Sequence, residues 1–209
     1  QPDPTPTCSA DWFHVYFTNP KSPTAETYRG GPDEKLTSAI EVARLSVDAA
    51  IYDLNLWSLR DALIRAFRRG VAVRLVVESD NLDEPEIRDL VSAGIPILGD
   101  RREGLMHNKF VIIDRSEVWT GSMNITTSDA YLNDNNLLQV RSVRIAENFL
   151  IEFDEMFQND LFGPDIRAAT PHPRMTIKGV PVEVYFSPAD KVAEHLLDLL
   201  RAAQRSIYY

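Results

Sequence analysis

Apolar and polar positions along the chain change period several times, and each change marks an element. The aromatic and β-branched run 12–17 predicts a strand, and residues 18–32, rich in Pro, Gly, Thr and Lys, predict a loop. Asp33 and Glu34 place negative charge where a helix start is positive, and a helical stripe of Leu36, Ile40 and Ala43 follows. Residues 47–54 predict a second strand. Ser58 predicts a cap for a helix with the stripe Leu59, Leu63, Ile64 and Phe67, stopped at Gly70. Residues 71–77 form a β-branched run of the kind found in buried strands. A short helix over 83–92 and a short strand over 95–98 come next. Strands at 110–113 and 118–120 flank a turn at Asp114-Arg115-Ser116-Glu117, and 137–140 predicts one more. Over 145–157 a strong helix puts Phe149, Leu150, Phe153, Met156 and Phe157 on one face. Strands alternating with helices predict an α/β domain: a mixed, largely parallel sheet with helices on both faces.

A pattern then returns. Residues 182–188 echo 14–20, residues 196–203 repeat the helical stripe, and 206–209 resemble 46–49. The expected organisation is a Pro-rich flexible tail at 1–10, one domain over 11–163, a linker over 164–181 and the start of a second similar copy at 182–209.

Composition narrows the function classes. The chain has 209 residues, 44% apolar and 25% charged, which suits one domain or one domain and part of another. A net charge of −9 is opposite to that of a protein coating nucleic acid, so any contact with nucleic acid must be local to a basic pocket. The single cysteine, Cys8, excludes a disulfide within these residues and argues against a cysteine-based metal site. No apolar run approaches the about 18 residues of an integral membrane helix. The first residue is Gln, which fits removal of a signal peptide or a chosen boundary. A secreted or extracytoplasmic location is the leading expectation and a cytoplasmic one the alternative.

The chemistry concentrates in residues 107–124, His-Asn-Lys-Phe-Val-Ile-Ile-Asp-Arg-Ser-Glu-Val-Trp-Thr-Gly-Ser-Met-Asn. Side chains two apart on an extended segment share a face, so His107 and Lys109 point the same way. Lysine is a compact donor for nonbridging phosphate oxygens, and histidine can act as nucleophile, base or acid near neutral pH. Ser122 and Asn124 are again two apart, after a glycine, Gly121, that lets backbone approach closely. Together these groups suit a preorganised site for a pentacoordinate phosphorus.

The skeleton of His107, Lys109, Asp114, Gly121-Ser122 and Asn124 resembles the HKD signature of the phospholipase D superfamily, and its compact form is most similar to the nuclease-like branch. The likeness covers residues 12–160 and, weakly, 182–209. It implies a phosphodiesterase in which one histidine attacks phosphorus, a second protonates the leaving oxygen, and no metal or other cofactor takes part. By this resemblance His107 and Lys109 carry chemistry, Ser122 and Asn124 bind phosphate, and Asp114 supports the site by orienting a histidine or closing hydrogen bonds behind it. The second motif would come from a downstream repeat or a homodimer mate. One departure stands out. Nuclease-like members often carry Asn-x-Glu-Asn beyond the motif, whereas this chain has Asn133-Asp134-Asn135-Asn136, so Asp134 or a residue from elsewhere must substitute for the glutamate.

Other features have bland readings. His14, His172 and His195 sit in no motif. Arg101 and Arg102 could guide an anionic substrate or be solvated loop charges. Trp57 could stack on a base or lipid or belong to the core. Asp80, Asp83, Glu84 and Glu86 could hold a cation or simply start a helix. The leading function is a DNA or RNA endonuclease. A phospholipase D acting on phospholipid headgroups is one alternative, and a non-catalytic phosphate-binding half is another.

Overall fold

A computed structural model describes residues 7–167 and 170–208, with side chains from Ala10 onward. In chain order the elements are β1 (Thr7–Ala10), β2 (Phe13–Phe17), α1 (Asp33–Glu41), β3 (Ser46–Ile51), α2 (Trp57–Arg68) and β4 (Ala72–Val77). They continue with α3 (Pro85–Ser92), β5 (Ile97–Gly99), β6 (Lys109–Ile113), β7 (Glu117–Gly121), α4 (Thr127–Tyr131), β8 (Asn136–Arg141) and α5 (Val143–Asn159). A hairpin of β9 (Arg174–Ile177) and β10 (Val180–Glu183) and helix α6 (Val192–Ala202) close the described chain.

The first eight strands form one mixed sheet in the order β1-β2-β8-β7-β6-β3-β4-β5. Strands β3, β4 and β5 run parallel, joined through α2 and α3. The remaining neighbours pair antiparallel, so the parallel part is confined to one side of the sheet. The physical reason is connection length: the few residues between β6 and β7 allow only a hairpin.

Period-two alternation feeds two apolar layers. Val47, Ala49, Ile51, Val73, Leu75, Val77, Val111 and Ile113 face the cluster completed by α1 and α2. Ala50, Val76, Phe110, Ile112 and Val118 face the opposite cluster, which holds Phe153 and Met156 of α5. Helices thus cover both faces, as the sequence pattern predicts. Arg74 anchors α5 to the sheet, bonding Asp48 at 2.7 Å and Asp154 at 3.1 Å while lying over the Phe153 and Phe157 rings.

Three sequence expectations need correction. Residues 7–10 are not tail: they pair with β2 as an edge strand, while residues 1–6 lie outside the described chain. Ser58 is not a cap. Helix α2 begins one residue earlier, and the Ser58 hydroxyl donates to Asp33 at 3.0 Å. Residues 164–181 are not a free linker, because Ile166 and Met175 are buried in the α5 cluster and 174–177 pair as a strand. The turn at Lys178 and Gly179 has positive φ at both positions, the geometry a tight hairpin needs. In the echo at 182–188, residues 180–183 pair with β9 among the described residues, and 206–208 form no strand. Helix α6 forms as expected but buries none of its side chains among the described residues.

Candidate active site

The sheet gathers one end of several strands at a single edge. Parallel strands β3, β4 and β5 finish there, β6 and β8 begin there, and β7 finishes there. Ligand sites of open α/β sheets collect at such strand ends. His107 lies two residues before β6 on the exposed approach, and Lys109 is the first residue of the strand.

Tyr52, the residue after β3, sets both side chains. Its ring meets the His107 imidazole edge-on with centroids 4.8 Å apart, and the Lys109 ammonium lies 5.2 Å from the same ring centre. The Tyr52 amide donates to the Asn108 carbonyl at 3.1 Å. Lys109 Nζ donates to the His107 carbonyl at 3.1 Å, which binds the two motif residues directly. Burial, and next the Lys109 charge, hold His107 below the ordinary histidine range and so favour the neutral imidazole. Burial also lowers Lys109, opposed by the negative charge of Asp129.

Asp129 was not found from sequence, yet it organises the flank of the site. It sits in α4, a short helix capped by the Thr126 hydroxyl. Its carboxylate accepts from the Asn124 amide at 2.9 Å and from Asn133 Nδ2 at 2.7 Å, and Asn135 Nδ2 donates to its carbonyl at 3.2 Å. Burial pushes this carboxyl up, but the hydrogen bonds outweigh it and hold the group below the usual carboxylate range. Asp134 is exposed. The acidic residue joined to this network is therefore Asp129, and Asn135 instead accepts from the Ser122 hydroxyl at 2.9 Å.

Ser122 also accepts from the Asn136 amide at 3.1 Å, and Thr18 clamps the loop 133–135 through both its amide and its hydroxyl. Gly121 allows this crowding, since a Cβ there would collide with the Asn136 carbonyl. Asn124 Oδ1 is buried with no hydrogen-bond partner among the described residues. His107, Lys109, Ser122 and Asn124 thus occupy one sheet edge.

Asp114 does not join them. It stands at the far end of β6, five residue steps and roughly 17 Å from Lys109 at about 3.4 Å per residue. Its Oδ1 accepts from the amides of Arg44, Leu45 and Ser46 at 3.0, 2.7 and 3.1 Å, closing the turn between α1 and β3. Of the two supporting roles expected for it, the structure shows the closing of hydrogen bonds, away from the imidazole.

A cavity of about 570 Å³ opens beside His107, lined also by Asp100, Met106, Asn108, Glu152 and Phe186. Glu152 is buried, and burial, helped by Asp190 and Glu155, pushes its carboxyl up to about 7. Among the described residues no group of three His, Cys, Asp or Glu converges as a metal set. Glu86 instead holds the exposed Trp57 indole at 2.9 Å. Arg101 and Arg102 are engaged by Asp160, at 2.7 and 3.5 Å, which makes them tethers of the loop before the motif. His14 stacks near Tyr16, His195 stacks on Tyr185, and His172 pairs with Glu147 at 2.7 Å.

A family model described as "Cardiolipin synthase, PLD-like domain" matches residues 36–157, more than half of the chain. The chain belongs to this family. Among curated phospholipase D-like relatives, the mitochondrial cardiolipin hydrolase of Xenopus laevis is 31% identical over 118 residues, 56% of each chain. A phospholipase D of Rickettsia prowazekii is 33% identical over 129 residues, 61% of this chain and 63% of that one. The chain therefore spans roughly three fifths of these relatives. Among solved structures, the phospholipase D family member Nuc of Salmonella typhimurium superposes with a TM-score of 0.61 at 25% identity, covering 75% of this chain and 98% of Nuc. The mixed α/β sheet described above is thus a phospholipase D-like fold. Among the described residues no helix is long and apolar enough to cross a membrane.

Proposed function

We propose that this chain is one half-site of a phosphodiesterase that works through a phosphohistidine, with DNA or RNA as substrate. The observation that carries it is the exposed His107 imidazole, biased to its neutral form and tied to Lys109 at the sheet edge. In the neutral state an imidazole nitrogen attacks phosphorus and forms a P–N bond while the P–O bond to the leaving group breaks. Lys109 and Asn124 neutralise and bind the nonbridging oxygens as charge builds. A second histidine, from a second HKD-bearing half in a downstream repeat or homodimer mate, gives its proton to the leaving oxygen. That histidine then takes a proton from water, which displaces His107 from phosphorus. No cofactor enters this scheme.

Nucleic acid leads because the compact motif resembles the nuclease-like branch. Phospholipid is the second reading, supported by the names of the curated relatives and by the partly apolar cavity beside His107.

The test is incubation of the protein and of His107→Ala with plasmid DNA, single-stranded oligonucleotide and phosphatidylcholine in excess EDTA. EDTA-resistant DNA cleavage, absent in the variant, is the expected result. Choline release without nicking would select the phospholipid reading. Phosphate binding with no turnover on any substrate would mark a non-catalytic half.

A further inference from the structure

The loop that delivers His107 is held by a carboxyl pair outside the motif. Glu78 follows β4 and Asp100 follows β5, so neighbouring parallel strands carry them to the same edge as His107. Both are buried, at 2% and 1% exposure. Glu78 Oε2 accepts the Met106 amide at 2.6 Å, one residue before His107. Asp100 Oδ1 accepts the Ser79 amide at 3.0 Å. The Ser79 hydroxyl in turn takes the Arg101 amide, and Arg102 Nη1 donates to the Asp100 carbonyl at 2.5 Å. Both ends of the segment 101–106 are therefore fixed to one buried acidic knot.

We propose that Glu78 and Asp100 act together as a positioning unit for His107, holding the approach loop so that the imidazole faces phosphorus. This rests on the phosphodiesterase reading above for its kinetic consequence. Burial, and next the Asp100 charge and its hydrogen bond, raise the Glu78 carboxyl above its usual range, opposed by the backbone amides of Met106 and Asp80. Arg101 faces the pair through its backbone amide and sends its guanidinium to Asp160, while the Arg102 guanidinium spans the Asp100 carbonyl and Asp160.

The experiment compares the intact protein with Glu78→Ala, Glu78→Gln and Asp100→Asn. Hydrogen exchange at the Met106 amide and the His107 imidazole NMR signal are read beside kcat and KM on a chromogenic aryl phosphodiester. Glu78→Ala should lose Met106 protection, shift the His107 signal and lower kcat by about 10- to 100-fold with KM within about twofold, the scale of lost supporting contacts around reactive groups. Glu78→Gln keeps an acceptor for Met106. It should restore most of kcat, as should Asp100→Asn, which keeps the acceptor for Ser79 and also serves if the alanine variant does not fold. Unchanged Met106 exchange in Glu78→Ala, or a glutamine variant as impaired as the alanine one, would overturn the proposal. Absence of turnover in the unaltered protein would count against the phosphodiesterase reading alone, since exchange and NMR still decide the positioning.

Discussion

The Tyr52 ring meets His107 edge-on at 4.8 Å and carries the Lys109 ammonium 5.2 Å from its centre. One aromatic side chain just past β3 thereby contacts both His107, on the approach to β6, and Lys109, its first residue. The contact is with the ring, so the phenol oxygen is dispensable. Tyr52→Phe should keep kcat within about twofold, whereas Tyr52→Ala should lower it about tenfold through freer rotation of both motif side chains. Steady-state kinetics on the substrate selected by the cleavage assay check this.

Asp129 is the acidic group acting on Lys109, and it also binds the Asn124 amide. Asp129→Ala removes the charge that favours the ammonium. The Lys109 titration should move further down, and kcat should fall about 10- to 100-fold. Asp129→Asn keeps an acceptor but no charge, so it should preserve stability better than activity. NMR titration of the lysine and thermal unfolding separate the two effects.

Asp114 holds three backbone amides and adopts φ 50. Asp114→Ala loses those bonds and keeps the strained backbone, for an expected cost of about 2–3 kcal/mol. Asp114→Asn tolerates the left-handed conformation and should cost about 1 kcal/mol. Urea unfolding checks these values. In the folded fraction kcat should fall by less than about tenfold, because Asp114 lies away from the imidazole.

Glu152 makes stability fall as pH rises. Its carboxyl is raised from 4.5 to about 7, so below 4.5 it is protonated in both folded and unfolded chains and costs nothing. Between those values the unfolded chain releases its proton first and stability declines. Above about 7 the full penalty, about 3 kcal/mol at about 1.4 kcal/mol per pH unit, is present. Glu152→Gln should therefore match the parent near pH 4 and exceed it by up to that amount at pH 8, read by urea unfolding at both.

Local patterns made much of this legible. The two-residue spacing of His107 and Lys109 places both on the face shared by Val111 and Ile113, and the stripe Phe149, Phe153 and Met156 marks the face of α5 that packs on the sheet. What escaped was set by pairing across the sheet. Glu78 reads as one acid after a β-branched run, and only the adjacency of β4, β5 and the approach to β6 shows that it holds Met106. Asp129 lay in a helix too short for a periodic signal, so Asp134 seemed as good a stand-in for the missing glutamate. The edge strand at 7–10 was hidden because its partner lies in β2, and proline-rich surroundings resemble tail.

The separation of Lys109 from Asp114 gives the HKD spacing a mechanical meaning. Strand β6 is a ruler: one end carries Lys109, and the other is bolted to the exit of α1. A residue inserted between the marks would turn one end to the opposite layer, and a deletion would do the same. Three letters that read as one chemical unit thus record the length of one strand, from Lys109 to the turn that Asp114 closes.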